Sequence, residues 1–132
     1  MRSALIVEKD PAVRLVLLRI LGRHGWWVDA ADGPESALAL ADRAPWDVGL
    51  IDWSADDGSG LALLGAIKLH PVWSAMPVVM MHRGATWAEV GRAFAWGAND
   101  FLPKPFTGED ALRKLDRWVI DRVGPPEPTL VG

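Results

Sequence analysis

The chain has 132 residues, of which 50% are apolar and 23% are charged, which is the size and composition of one globular domain. Its net charge of −3 argues against a domain whose main function is to bind nucleic acid, and the absence of cysteine excludes disulfide frameworks, cysteine metal sites and thiol catalysis. The longest apolar runs, such as residues 76–81, fall far short of the ~20 residues of a membrane span, and no signal-peptide pattern precedes Glu8, so we expect neither feature.

Short apolar runs of strand length alternate along the chain with amphipathic stretches of helical period. In chain order, the pattern predicts a strand at 4–7, a helix at 11–21, a strand at 26–30, a helix at 34–41, a strand at 47–51, a helix at 61–70, a strand at 77–81, a helix at 86–96, a strand at 99–102 and a helix at 107–123. The polar, glycine-rich segment 54–60 is predicted as a loop. We therefore expect one domain over 1–123, followed by a proline-rich tail or the start of a linker at 124–132.

Two of the predicted helices carry clear start signals. Asp10 and Pro11 supply an N-cap and a proline at the first helical position. Thr107 and Asp110 form a variant of the capping box, with Asp in place of the usual Glu. Strand and helix alternate five times, which indicates an α/β fold of (βα)5 type, with a parallel sheet covered by helices on both faces.

Chemically useful side chains follow several of the predicted strands. Residues 8–10 follow the first strand, Asp52 the third, residues 82–83 the fourth and Lys104 the fifth. Taken singly, each has an ordinary structural interpretation, such as a helix cap for an aspartate. In a parallel sheet, however, the carboxyl ends of the strands lie at one edge, where ligands bind. The pattern therefore predicts one site made of two or three carboxylates, lysines, a histidine and an arginine.

Six stretches of the sequence carry a resemblance to a known family. They are LIVEKDP at 5–11, ADG at 31–33, DVGLID at 47–52, GSGL at 58–61, MPVVM at 76–80 and GANDFLPKPF at 97–106. Over residues 3–122 the chain resembles the receiver domain of two-component response regulators. The resemblance implies a flavodoxin-like, doubly wound sheet of five parallel strands in the order 2-1-3-4-5. It also implies a cytoplasmic signalling module and not an enzyme.

The resemblance implies a role for each matching residue. Asp52 lies at the position that accepts a phosphoryl group, and Lys104 lies at the position that touches the phosphate, before a peptide bond to Pro105 that the family often holds cis. The family's Mg²⁺ is held by an acidic pair after the first strand, by the phosphoacceptor and by a backbone carbonyl two residues further on. In this chain those positions are Glu8, Asp52 and Ser54.

The sequence departs from the family's pattern at several of these positions. Lys9 replaces the second acid of the pair, and a lysine has donors but no lone pair for a metal. Reading Asp10 as the missing ligand would shift the motif by one residue, against the helix start at Pro11. His82 stands at the position of a Thr or Ser whose hydroxyl binds the phosphoryl group. In addition, Arg83 replaces a small residue, Phe101 lacks a hydroxyl, and Asp56 replaces a proline.

These departures predict a degenerate receiver, in which Mg²⁺ binding is weak or absent and Asp52 is phosphorylated inefficiently. We expect Lys9 to pair with Asp52 or Glu8 in place of the metal. The alternative is a genuine phosphoacceptor with a modified metal site, assisted by His82 and Arg83. A flavodoxin-like cofactor-binding protein is disfavoured, because no glycine- or serine-rich phosphate loop follows the first strand.

The expected partners are proteins. The resemblance implies a histidine kinase or a phosphotransfer protein, and the altered site favours a partner that binds without phosphorylation. A homodimer through helix four, strand five and helix five is a further expectation, with no direct contact to nucleic acid or membrane. On helix four, Trp87, Val90 and Phe94 share one face that we predict to be core, whereas Trp96 lies on another side.

Overall fold

The computed structural model describes residues 2–43, 45–53 and 59–123. The strands are β1 (Ser3–Val7), β2 (Trp27–Ala31), β3 (Val48–Asp52), β4 (Val78–His82) and β5 (Asp100–Pro103). The helices are α1 (Pro11–Arg23), α2 (Pro34–Leu38), α3 (Ser59–Leu69), α4 (Trp87–Ala95) and α5 (Gly108–Val123), with short 3₁₀ turns at Ala41–Arg43 and Trp73–Ala75. The predicted tail at 124–132 lies outside the described residues.

The five strands form one parallel sheet in the order β2-β1-β3-β4-β5, as predicted. The order reverses at β1, whose two neighbours are β2 and β3. In such sheets the crevice at the carboxyl ends of the strands flanking this reversal is where ligands bind. The fold therefore places the ends of β1 and β3, with Glu8 and Asp52, at the opening of this crevice.

Two apolar cores cover the two faces of the sheet, because successive strand residues point to opposite sides. On one face, Ala4 and Ile6 pack with α1 and α5. On the other, Leu5 and Val7 pack with α2, α3 and α4. The side chains of both cores are almost fully excluded from water, so the sheet is a rigid support for the residues at its edge.

Both predicted helix starts are present. The Asp10 side chain accepts a hydrogen bond from the backbone N–H of Ala12 at 2.9 Å, with Pro11 at the first helical position of α1. At α5, the Thr107 N–H donates to Asp110 at 3.0 Å and the Asp110 N–H donates to the Thr107 hydroxyl at 3.1 Å. These reciprocal bonds satisfy backbone donors that the first turn of a helix leaves free.

Gly60 allows α3 to begin directly against the end of β3. A Cβ atom at this position would lie 2.7 Å from the carbonyl oxygen of Asp52 and 2.9 Å from the Cα of Trp53. Both atoms belong to the backbone and cannot turn away. The glycine therefore fixes how closely α3 approaches the strand end that carries Asp52.

Two sequence predictions differ from the structure. The second helix is shorter than predicted, because α2 ends at Leu38 and the chain continues into a 3₁₀ turn.

The prediction that Trp87, Val90 and Phe94 form a core face of α4 is wrong, since Trp87 is 90% and Phe94 45% exposed. The fully buried residue of α4 is Ala93. The core contact of α4 is thus made by a small residue, and the larger Trp87 and Phe94 lie outside the core.

Trp96, which follows α4, is half exposed and lies against α3, 3.4 Å from the point where a Cβ on Gly65 would stand. Among the described helices, none is both long and apolar enough to cross a bilayer.

Candidate functional site

A buried ammonium group lies between two carboxylates at the carboxyl ends of β1 and β3. Lys104 Nζ donates to Glu8 Oε1 at 3.1 Å, to Glu8 Oε2 at 2.9 Å and to Asp52 Oδ1 at 3.1 Å. The three side chains are 8%, 1% and 10% exposed, respectively. The structure thus brings together three of the predicted site residues in one cluster, whose own formal charges sum to one negative charge when all three groups are ionised.

Lys104 reaches the carboxylates because the loop after β5 is tied to β4. The backbone N–H of Lys104 donates to the carbonyl oxygen of His82 at 2.7 Å. The peptide bond from Lys104 to Pro105 is cis, as the resemblance implied. The lysine side chain then extends across the sheet edge from β5 toward β1 and β3.

Glu8 is held in place by the backbone on both of its sides. Its N–H donates to Ala31 O at 3.0 Å, and the Asp10 N–H donates to its carboxylate at 3.0 Å. Burial raises the pKa of Glu8 above its ordinary value. Hydrogen bonds from Lys104 and Asp10 oppose this rise in pKa, and the negative charge of Asp52 adds to it. The site therefore disfavours the charged form of Glu8 relative to the same carboxylate in water.

Asp52 lies between two cavities. One, of about 580 Å³, is lined by Glu8, Lys104, Lys9, His82 and Arg83 among others. The other, of about 560 Å³, opens on the side of α2 and is also lined by Lys9. The carboxylate that the resemblance identifies as phosphoacceptor is thus reached from a space large enough for a small molecule.

The expected ion pair of Lys9 is not found. Lys9 is exposed and forms no ion pair with any described residue, whereas Lys104 contacts both Glu8 and Asp52. The physical reason lies in the direction of the chain after β1, because the inward turn of Glu8 leaves the next side chain on the outer wall of the cavities. The fixed cation of the cluster is therefore Lys104 and not Lys9.

His82 stands at the rim of the larger cavity. Its ring packs edge to face against Trp53, with centroids 5.0 Å apart, and Nδ1 lies 2.7 Å from the carbonyl oxygen of Arg83. Arg83 is exposed at the same rim, and Phe101 is partly buried against the core on the α3 side. The imidazole and the guanidinium thus occupy the side of the cavity that the family leaves to small side chains.

The described residues do not fit the Mg²⁺ site that the family implies. Mg²⁺ requires an octahedral set of oxygen ligands. Here the carboxylate oxygens of Glu8 and Asp52 are bridged by Lys104, and Lys9 offers no lone pair. Among the described residues, no group of three or more histidines or acids could hold a metal ion. Weak or absent Mg²⁺ binding stays a prediction.

Two predicted positions fall in the segment 54–58, outside the described residues. They are Ser54, whose backbone carbonyl was assigned to the metal, and Asp56, which replaces the family's proline.

The sequence analysis missed two residues that organise the site. Arg14 of α1 donates from Nη1 to the carbonyl oxygen of Glu8 at 2.8 Å. Glu89 of α4 places a carboxylate oxygen 3.8 Å from Nε2 of His82. A signal for Glu89 was present, because Thr86 and Glu89 have the spacing of a capping box. No comparable signal exists for Arg14.

Comparison with known proteins gives a consistent result. The family model described as response regulator receiver domain matches residues 4–116. The phosphate regulon transcriptional regulatory protein PhoB of Klebsiella pneumoniae is 28% identical over 125 residues, which cover 94% of this chain and 54% of that protein. The DNA-binding transcriptional regulator NtrC of Salmonella typhimurium is 36% identical over 116 residues, which cover 86% of this chain and 24% of that protein.

Solved structures agree with the sequence matches. The chemotaxis response regulator CheY4 of Vibrio cholerae superimposes with a TM-score of 0.80 at 28% identity, covering 89% of this chain and 98% of that chain. The receiver domain of NtrX from Brucella abortus gives a TM-score of 0.76 at 32% identity, covering 88% and 97%. The chain therefore spans about half of PhoB and about a quarter of NtrC, but nearly all of the solved receiver structures.

Proposed function

The chain belongs to the response regulator receiver family, and we propose that it is a receiver module whose Mg²⁺-dependent phosphoacceptor site is impaired. In this proposal the domain binds its partner protein without needing phosphorylation at Asp52. Receivers are signalling modules of two-component systems, and this one transmits its signal by protein contact and carries out no catalysis of its own.

The replacement of a metal-ligating acid by Lys9 carries the proposal, together with the contact of Lys104 with both carboxylates. Lys104 Nζ lies within 3.1 Å of both Glu8 and Asp52 and already supplies the positive charge that a dication would otherwise supply. Lys9 adds a second positive charge on the wall of both cavities beside Asp52. A dication entering this space would displace one ammonium group and be repelled by the other.

Exposed aromatic side chains support protein binding as the mode of action. Trp87 and Phe94 lie seven residues apart on α4, which places them on the same side of the helix. Exposed tryptophan is enriched at protein interfaces. We therefore propose a homodimer through α4, β5 and α5, with Trp87 and Phe94 at the centre of its interface.

The partners follow from the family. Receiver domains interact with histidine kinases or phosphotransfer proteins, and we propose that this chain binds a protein of that class in the cytoplasm. The relatives PhoB and NtrC are named as transcriptional regulators, but this chain matches only 54% and 24% of their lengths. For residues 1–123 we propose no direct contact with nucleic acid.

The decisive experiment restores the missing acid. Purified chain is incubated with acetyl phosphate and Mg²⁺ and its intact mass is measured, for wild type, Lys9→Asp and Lys9→Ser. We expect no more phosphoryl adduct on wild type than on Asp52→Asn. Lys9→Asp should gain about tenfold or more, because it returns a metal ligand to the site.

Lys9→Ser is the matched control, since it removes the positive charge without adding a carboxylate and should gain little. A stable adduct on wild type that is absent from Asp52→Asn would contradict the proposal. It would establish the alternative, a genuine phosphoacceptor. That alternative has one observation in its favour, because Asp52 and Lys104 are in contact in the pairing that the family uses around the phosphate.

A further inference from the structure

His82 is a physical link between the site and α4. Its main-chain oxygen accepts from Lys104 N–H at 2.7 Å, and its ring packs against Trp53. The ring reaches away from the sheet toward α4, where Nε2 lies 3.8 Å from Oε2 of Glu89. One side chain thus contacts Trp53, directly after β3, and Glu89 in the first turn of α4.

Glu89 is the residue that organises the first turn of α4. Its Oε1 accepts from the Thr86 N–H at 3.1 Å, and its own N–H donates to the Thr86 hydroxyl at 3.1 Å. The other carboxylate oxygen faces His82. The hydrogen bonds from Thr86 also hold the pKa of Glu89 below its usual range, so this carboxylate is ionised wherever a histidine titrates.

The hydrogen-bond partner of Nδ1 determines what protonation would do. The atom 2.7 Å from Nδ1 is a carbonyl oxygen, which can only accept, so Nδ1 carries a proton. In neutral His82 the lone pair then lies on Nε2, and it faces a carboxylate with no hydrogen between them. In the protonated imidazole, Nε2 carries an N–H that donates toward Glu89 and forms an ion pair with it.

We propose that protonation of His82 fastens the first turn of α4 to the end of β4, which makes the exposed aromatic face of α4 responsive to pH. The link uses only His82, Glu89 and Thr86, and it stands whether or not Asp52 accepts a phosphoryl group. In acid the turn is held by three contacts on Glu89, and in mild alkali by two.

Other charged groups face His82 from each neighbouring element. Glu8, Asp52 and Lys104 line the same cavity from β1, β3 and the loop after β5, together with Lys9 and Asp10. Arg83 is adjacent in the chain, and Arg92 lies close enough to Glu89 to favour its charge. Of these groups, Glu89 is the one that forms an ion pair with the ring. The test must therefore separate Glu89 from the cavity carboxylates.

Amide hydrogen exchange measured by NMR tests the proposal on the intact chain. Protection factors of the Glu89 and Val90 amides are compared at about pH 5 and about pH 8, on either side of the histidine range. We expect about two- to fivefold higher protection in acid, the range of a partly exposed ion pair. The first turn of α5 is the internal reference, because its capping Asp110 pairs with Arg113 at 2.7 Å and not with an imidazole.

Glu89→Gln keeps the cap oxygen but removes the charge, and it should abolish the pH effect. His82→Gln should do the same, whereas His24→Gln, a change at an exposed histidine of the α1 end, and Glu8→Gln should retain it. Equal protection of α4 at both pH values in wild type would overturn the proposal. So would an undiminished pH effect in Glu89→Gln, a surface change that leaves the fold intact even if His82→Gln does not fold.

Discussion

Among the described residues, two acids are almost fully buried, Glu8 directly after β1 and Asp29 in β2, and their pKa values shift in opposite directions. Both are almost inaccessible to water, at 1% and 6% exposure. The pKa of Glu8 is raised by its burial. Burial alone would also raise the pKa of Asp29, but its hydrogen-bond donors outweigh burial and hold that pKa below the ordinary value.

The difference lies in the donors. Asp29 accepts from Trp46 Nε1 at 2.8 Å, from Arg43 Nη1 at 2.7 Å and from Trp27 Nε1 at 3.4 Å, so three donors converge on one carboxylate. Glu8 shares its lysine with Asp52 and feels the negative charge of that neighbour. A carboxylate with its own donors stabilises the fold, whereas a shared donor leaves part of the desolvation cost uncompensated. Perturbed pKa values caused by burial and a neighbouring like charge cluster at functional sites.

The largest predicted loss of stability follows from a substitution at Asp29. Asp29→Ala should lower the free energy of unfolding by about 3 kcal/mol, because it removes the carboxylate that accepts from the buried indole N–H of Trp46 and from Arg43 Nη1. Asp29→Asn is the matched control and should lose clearly less, since its amide oxygen still accepts. Urea denaturation measures both, and equal losses in the two variants would show that hydrogen bonding is not what stabilises this position.

The second-largest predicted loss of stability follows from removal of Lys104, the cation that Glu8 and Asp52 share. Lys104→Met at pH near neutral should destabilise the fold by about 2 kcal/mol, because it removes the ammonium group that contacts both Glu8 and Asp52 while the two carboxylates stay close together. The loss should shrink as the pH falls, since protonation of Glu8 removes the repulsion. The double variant Lys104→Met with Glu8→Gln should recover most of it. If the double variant is no more stable than Lys104→Met, the repulsion between the carboxylates is not the cause.

Glu8→Gln should have the smallest effect. A carboxylate whose pKa is raised in the folded state lowers stability as pH rises from its ordinary pKa through the raised value, and the penalty is complete above that. Glutamine removes this penalty while keeping an acceptor for Lys104. Thermal and urea unfolding should therefore place Glu8→Gln within about 1 kcal/mol of wild type, on the more stable side at neutral pH and with no advantage in acid.

Asp29 gives the opposite pH profile. Because the folded state lowers its pKa, Asp29 contributes stability above its ordinary pKa and loses it as the pH falls through the lowered value. Asp29→Asn should therefore differ from wild type most at neutral pH and least in strong acid. If Glu8→Gln instead lowers the free energy of unfolding by about 2 kcal/mol or more at neutral pH, the predicted difference between Glu8 and Asp29 is contradicted.

The strands and helices were predicted well from the sequence, because the two signals used, apolar periodicity and helix caps, are both local. Apolar runs alternating with helical periods, and caps such as Asp10 and Thr107, depend on near neighbours in the chain. The strand order came from the resemblance, and the structure confirms it. The face of α4 was predicted wrongly because periodicity identifies a stripe of large apolar residues but not which stripe is buried. In α4 the small Ala93 makes the core contact.

The site was predicted in composition but not in pairing. Strand ends identified Glu8, Asp52, His82 and Lys104, and the structure brings them to one edge. The cation between the carboxylates was predicted as Lys9, their neighbour in sequence, whereas it is Lys104, distant in sequence. Such a choice depends on the direction of each side chain at the strand ends, which a pattern of residue types does not contain. The contact of His82 with Glu89 depends in the same way on tertiary packing.

A titration with Mg²⁺ tests the central claim most directly. Tryptophan fluorescence is followed at neutral pH, with Trp53→Phe used to assign the signal to the residue beside Asp52. Because Lys104 occupies the space between Glu8 and Asp52, we predict no saturable change at millimolar Mg²⁺ in wild type. A saturable change that disappears in Asp52→Asn would contradict the account, since it would show that the metal displaces the lysine and that the site is intact.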